Sequence, residues 1–343
     1  MNNCILLFNN LAHPAMTSQA NTNSAENLLP YFIEQLPSLA KRLNLNGSED
    51  KLKCLILEAH KKEKSLRGKL GIAIKSTTES RALAHFLMEH LLPEGPTPIE
   101  GEEHFFSAVQ HYCSGGRVIF VMNHNAVADS VFLNLEIEKL LAKRPPEDAI
   151  SFVLTWVAGR RVYNNPLMLT FSLESNMITV IGDRYAEEAR TQGYLGEMRR
   201  HNASALNWMA ENAVPLAVFA EGSWHNDGQL HWGSPDAANV PYVVAKKTGQ
   251  DPLILACHID GIHNMVPPSG KPGDDFHRIV EVLTPAPVTL RFRKPRKWSN
   301  FVSEVPGKEQ DQFQWLSNAM MREVAKIAPP GTRGVFEKEL LGF

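Results

Sequence analysis

A chain of 343 residues with 43% hydrophobic and 21% charged content reads as a globular protein with room for one large α/β domain and a smaller one. Its 35 basic and 37 acidic residues leave a formal charge of −2, so no bulk field argues for nucleic acid as a partner. The four cysteines, Cys4, Cys54, Cys113 and Cys257, show no paired spacing, which points to a reducing compartment and away from a structural zinc site.

No apolar run approaches the ~18 residues of a membrane span. Residues 1–25 carry no lysine or arginine, so neither a secretory nor an organellar targeting peptide is expected. They are expected to be a disordered lead-in, and the protein to be soluble and cytoplasmic. From 26 to 98 the patterns are helical. Leu28, Leu29, Phe32, Ile33, Leu36 and Leu39 give one apolar face; Leu52, Leu55, Ile56 and Ala59 give a second; Ala82, Leu83, Phe86, Leu87 and Leu91 give a third. Pro93, Pro96 and Pro98, with Gly95 and Gly101, then punctuate the chain, and a smaller helical domain is expected to end there.

Residues 99–343 read as an α/β domain with a mainly parallel mixed sheet flanked by helices. Phe105 to Tyr112 is a short helix leading through Gly115-Gly116 into Val118–Met122, a β-branched apolar run suited to a strand buried on both faces. The run stops at Asn123-His124, and Asp129 opens a helix marked by Leu133, Ile137, Leu140 and Leu141. Further strands are expected at Ser151–Val157, Met177–Ile181, Pro215–Ala220 and Leu253–Cys257. A hairpin is expected to pair Ile279–Leu283 with Val288–Phe292. Helices are expected over Arg200–Ala213 and Phe313–Ile327. If the strands run parallel, His124, Arg160/Arg161, Glu221-Gly222-Ser223 and His258 gather at their carboxyl ends, where open α/β sheets bind ligands.

The spacing of His124 and Asp129 carries chemistry. On one continuous helix, side chains five residues apart would point roughly 140° away from each other. Across a loop and into a first helical turn they can meet. A carboxylate on one ring N–H then fixes the tautomer and leaves the other nitrogen to take a proton from a hydroxyl. The plainer reading is a loop histidine and an aspartate placed for the helix dipole.

Asn123-His124-Asn125-Ala126-Val127-Ala128-Asp129 and Phe219-Ala220-Glu221-Gly222-Ser223 resemble the N-H-x-x-x-x-D and F-P-E-G blocks of the glycerolipid acyltransferase superfamily. Within it, the stretches FFSAVQHYCSGGRVIFVMNH, VAGRRVYNNPL and LILACHIDGIHNMVPP resemble the soluble, plastid-type glycerol-3-phosphate 1-acyltransferases over roughly Phe105 to Pro268. The resemblance implies transfer of a fatty acyl group from acyl carrier protein or coenzyme A to the 1-hydroxyl of glycerol 3-phosphate, yielding lysophosphatidate. No cofactor or metal is implied beyond the thioester co-substrate. His124 would be the general base and Asp129 its orienting partner. Asn123, Glu221, Gly222, Ser223 and His258 would bind substrate, with backbone N–H groups near Gly222 facing the oxyanion. Trp224, His225, Asn226 and Asp227 stand where the superfamily carries a basic pair, so phosphate recognition would fall to Arg160, Arg161 and Arg184, helped by His225.

Other readings stay open. Arg160 and Arg161 also read as a solvated turn, and Glu221 reads as a site-ordering residue or, more plainly, as a local cap or ion pair. The run Arg291, Arg293, Lys294, Arg296 and Lys297, closing with Trp298, is either a charged edge strand or a dock for an acidic carrier protein or anionic lipid headgroups. His258, Asp260 and His263 fit no common zinc spacing. Three rivals remain. One is an acyltransferase with a different hydroxyl or amine acceptor. Another is a metal-dependent hydrolase built on His124, Asp129, His258 and Asp260. The third is a non-catalytic lipid-binding protein.

Overall fold

The computed structural model describes residues 28–45, 47–66, 71–126, 128–144, 152–159, 170, 172–182, 185–225, 227–265, 283–307 and 311–342. In chain order the helices are α1 (Leu28–Arg42), α2 (Glu49–Leu66), α3 (Thr78–Leu91), α4 (Glu102–Cys113), α5 (Asp129–Ala142), α6 (Ala186–Thr191), α7 (Leu195–Glu211), α8 (Pro235–Thr248), α9 (Trp298–Ser303), α10 (Gln312–Ala325) and α11 (Glu337–Leu341). The strands are β1 (Ala73–Ile74), β2 (Ile99–Glu100), β3 (Val118–Met122), β4 (Thr155–Gly159), β5 (Asn176–Val180), β6 (Leu216–Phe219), β7 (Leu253–Asp260), β8 (Thr289–Phe292) and β9 (Arg296–Lys297).

Among the described residues these strands form one sheet in the order β1-β5-β4-β6-β3-β7-β8-β2, with β9 paired to β7. The five central strands, β5, β4, β6, β3 and β7, run parallel, so their carboxyl ends share one rim. Antiparallel pairing is confined to β1 on β5 and to β8 and β9 on β7. Every residue of β3 is buried, as an apolar run covered on both faces requires.

Two packed layers cover the sheet. Phe120 and Met122 face a core that includes Phe105 of α4, Phe132 and Leu133 of α5, and Leu39, Leu52 and Leu83 of the first three helices. Ile119 and Val121 face the opposite core, with Met209 of α7, Val244 of α8 and Met320 and Val324 of α10. The amino-terminal helices therefore share a continuous apolar core with one sheet face, and β1 joins the sheet edge between α2 and α3.

The first strand of the expected hairpin falls almost wholly outside the described residues. The β8 strand pairs antiparallel with β7 and parallel with β2, whereas residues 279–282 lie outside the described set. The β7 strand also runs three residues beyond Cys257, to Asp260, because β8 supplies a ladder partner for Cys257 through Asp260. The α8 helix, with Pro235 in its first turn, an internal Pro241 and a left-handed Gly249 at its end, shows no clean apolar period in the sequence.

Candidate functional site

The site begins where β3 ends. His124 Nδ1 lies 2.9 Å from Asp129 Oδ2, and the same carboxylate oxygen accepts the Ala126 N–H at 2.9 Å. The loop between β3 and α5 thus turns a spacing that fails on a helix into a hydrogen bond. Asp129 is fully buried, while the His124 side chain keeps 21% of its surface exposed. Burial pushes the Asp129 carboxyl above its ordinary range, opposed by the hydrogen bond and charge of His124 and by backbone N–H donors. With Nδ1 occupied by the carboxylate, Nε2 is the nitrogen left to accept a proton.

The imidazole is also held on its face. Phe219, the last residue of β6, stacks on it with ring centres 3.8 Å apart and planes 10° from parallel. Trp156 of β4 stacks in turn on Phe219 at 4.9 Å.

The β6 loop is tied to the β3 loop at several points. Glu221 Oε2 accepts the His124 backbone N–H at 2.7 Å, and its Oε1 accepts the His231 backbone N–H at 2.9 Å. The His225 N–H donates to the His124 carbonyl at 2.9 Å, and the Trp224 indole N–H to the Asn125 carbonyl at 3.1 Å. Glu221 is buried, which pushes its carboxyl up to about 8 against the pull of those two N–H donors. It therefore staples two loops together and does not present its carboxyl to solvent. Gly222 has φ +68° and a side chain there would sit 2.6 Å from Ser234 Cβ, so only glycine fits this turn. Ser223 Oγ and His225 Nε2 are 2.8 Å apart, and His225 stacks at 3.8 Å on His231, whose Nε2 is 2.9 Å from Asp227. Burial and the neighbouring His231 lower the His225 pKa, with Asp227 opposing.

Two candidates sit differently from the sequence expectation. Asn123 is buried and its amide is fully engaged with β7, donating to the Ile259 carbonyl and accepting the Ile259 N–H, each at 3.0 Å. It extends the β3–β7 pairing past the ladder. His258 is 1% exposed and lies within β7 on the pleat opposite His124. Its parity is that of Ile254 and Ala256, which face the second core, while His124 stacks on Phe219 at the first. The four-residue metal arrangement fails on the same ground: His124 and His258 are on opposite faces. Asp260, for its part, accepts from Arg291 at 3.1 Å. Among the described residues no group of three or more metal-ligating side chains converges. Arg160, Arg161 and Arg184 lie outside the described residues.

The basic run is largely paired. Arg291 contacts Glu100 at 3.2 Å as well as Asp260, Arg293 pairs with Glu323, and Arg296 bridges Glu323 at 2.9 Å and Glu304. Lys294 and Lys297 stand exposed, whereas Trp298 is 3% exposed and packed in the second core. No helix among the described residues is long and apolar enough to cross a membrane.

Sequence reasoning missed Trp156 and His231. His231 belongs to no sequence block, and Trp156 reads only as a strand residue.

No protein-family model matches the chain. A chloroplastic glycerol-3-phosphate acyltransferase of Phaseolus vulgaris is 27% identical over 181 residues, which is 52% of this chain and 35% of that protein. The chain thus aligns with about a third of the length of that relative, a distant sequence similarity to one glycerolipid acyltransferase. A crystal structure of the 1-acyl-sn-glycerophosphate acyltransferase from Thermotoga maritima overlays 89% of this chain and 97% of its own at 15% identity. Its TM-score is 0.37, at which the overlay decides nothing.

Proposed function

We propose that this chain transfers a fatty acyl group from a thioester of acyl carrier protein or coenzyme A to a hydroxyl of a glycerol-phosphate acceptor. The observation that carries this is the imidazole at the end of β3, partly exposed, with Nδ1 on a buried carboxylate. Nε2 takes the acceptor's hydroxyl proton as that oxygen attacks the thioester carbonyl. The tetrahedral intermediate then expels the thiolate, which recovers the proton from the imidazolium, leaving an ester and a free thiol. Asp129 holds the Nδ1–H tautomer and stabilises the imidazolium. General base catalysis of this kind is worth ~10²–10⁴-fold, and holding the two substrates in line supplies much of the rest.

The acceptor is drawn from the glycerol phosphates on the sequence match to a glycerol-3-phosphate acyltransferase. Arg160, Arg161 and Arg184 are proposed to hold its phosphate, helped by His225. A second reading keeps the chemistry and changes the hydroxyl: 1-acylglycerol 3-phosphate or another alcohol takes the acyl group. The departure at Trp224 to Asp227 favours keeping that reading alongside the first.

The test is thiol release from radiolabelled acyl-coenzyme A and acyl carrier protein. Each donor is run against glycerol 3-phosphate, 1-acylglycerol 3-phosphate and unphosphorylated glycerol. Acceptor-dependent release with a phosphorylated glycerol is expected. Release that ignores the acceptor would replace transfer with hydrolysis, and no release from either thioester would end the proposal.

A further inference from the structure

The His124–Asp129 pair leaves unused a polar cluster buried beneath the rim. Glu174 is 1%, Ser175 2%, Trp156 3% and Asn134 9% exposed. Asn134 lies on α5, five residues after Asp129. Its Nδ2 donates to both Glu174 oxygens at 3.1 and 3.0 Å and to Ser175 Oγ at 2.5 Å. Its Oδ1 accepts the Trp156 indole N–H at 3.3 Å. The Ser175 hydroxyl donates to Glu174 as well. Reversing the amide would set an NH2 against the indole N–H, which can only donate, so its orientation is fixed. Burial pushes the Glu174 carboxyl up to about 8, opposed first by the Asn134 donor, which keeps this anchor free of a buried charge near neutrality.

The indole held this way begins a three-ring stack of Trp156, Phe219 and His124. One helix therefore grips both ends of the stack, through Asp129 at the imidazole and through Asn134 at the indole. A single hydrogen bond at Nδ1 fixes one N–H direction but leaves the ring free to tilt about that bond. A face-to-face neighbour removes the tilt, provided that neighbour is itself backed by something that cannot move.

We propose that Trp156, locked by Asn134, is a positioning residue for His124: through Phe219 it sets the plane of the imidazole, while Asp129 sets its rotation within that plane. The consequence for rate rests on the acyl-transfer reading. The consequence for ring geometry does not.

The experiment reads His124 directly, in protein labelled with 15N and 13C at histidine, with His124→Gln identifying its resonances. In the wild type the ring protons of His124 are expected upfield, under the face of Phe219, with one tautomer protonated at Nδ1. In Trp156→Leu the upfield displacement should fall by about half or more, and in Trp156→Phe, which keeps a ring but loses the N–H, by less. In parallel, kcat should drop ~100-fold for Trp156→Leu and ~10-fold for Trp156→Phe, with KM within about twofold of wild type. Unchanged His124 signals in a folded Trp156→Leu overturn the proposal whatever the activity. Should that variant fail to fold, Trp156→Phe decides by the same criterion. Wild type without any transferase activity, but with the expected shifts on substitution, would overturn acyl transfer and leave the positioning role standing.

Discussion

Two histidines sit side by side at the rim of the sheet and have opposite fates. The β3 and β7 strands are parallel neighbours in register, Met122 opposite Cys257, so His124 and His258 emerge within about a residue of one another along the strands. His124 turns toward the first core face, keeps 21% of its side chain exposed and finds Asp129. His258 turns to the other face, is 1% exposed, and neither ring nitrogen has a hydrogen-bond partner among the described residues. Its burial lowers its pKa to about 4; Asp260 pulls upward, while Arg291 and His263 push it further down. Position at a strand end is thus not enough. The pleat chooses the face: on one a carboxylate bonds the imidazole and the ring stays partly open, while on the other Asp260 is held by Arg291 and the ring is closed off.

The sharpest way to break this comparison is His124→Ala, expected to lower kcat/KM for acyl transfer by ~10²–10⁴-fold with an unchanged circular dichroism spectrum. Wild-type turnover would remove the general base. Asp129→Asn comes next, with kcat falling ~10²-fold or more and acceptor KM nearly constant, since the amide can hold the wrong tautomer of the ring. A change confined to KM would make Asp129 a binding group instead.

His258→Leu tests the other half, and its signature is in stability. The folded pKa of about 4 lies below the usual histidine value of 6.5, so the unfolded chain binds more protons between them. His258 therefore contributes its full stability above pH 6.5 and loses it as pH falls toward 4. The leucine variant should melt less steeply with acid than wild type, with transfer rates at pH 7.5 within about twofold. An acid-melting curve that superimposes on wild type would show that His258 reaches solvent or a partner.

Much of this was legible because it is local. The parallel core strands follow from short β-branched runs, and the His124–Asp129 contact from five residues spanning a loop and a first helical turn. The end of β7 was not, because the apolar run stops at Cys257 and the ladder partner that carries the strand on to Asp260 is β8, distant in sequence. The partners of Asn123 and Glu221 were hidden for a related reason. Each is a polar residue at a strand end, yet each is occupied by backbone groups from loops distant in sequence: Ile259 for one, His124 and His231 for the other. Residue type announces that a side chain will make hydrogen bonds. It does not say with whom. Trp156 was invisible as a site residue because its link to His124 passes through two ring faces and has no motif.

The smallest effects lie in the basic run, where the same question of which way a side chain faces recurs. Arg296 is turned inward onto Glu323, whose carboxyl is only 5% exposed, and outward to Glu304. Lys326 and Arg293 lower the Glu323 pKa against the upward push of burial, so its stabilisation is present above its unfolded value and fades as pH falls through the folded one. Arg296→Ala leaves Arg293 and Lys326 in place and should cost about 1 kcal/mol or less at pH 7, shrinking further in acid. Lys294 and Lys297 face solvent, and the double change to alanine should leave thermal stability within about 0.5 kcal/mol. If an acidic carrier protein docks on this edge, that double variant raises KM for acyl carrier protein thioester about threefold at low salt and leaves acyl-coenzyme A untouched. Equal KM values for both donors would assign these lysines to solvation alone, the outward counterpart of the paired arginines beside them.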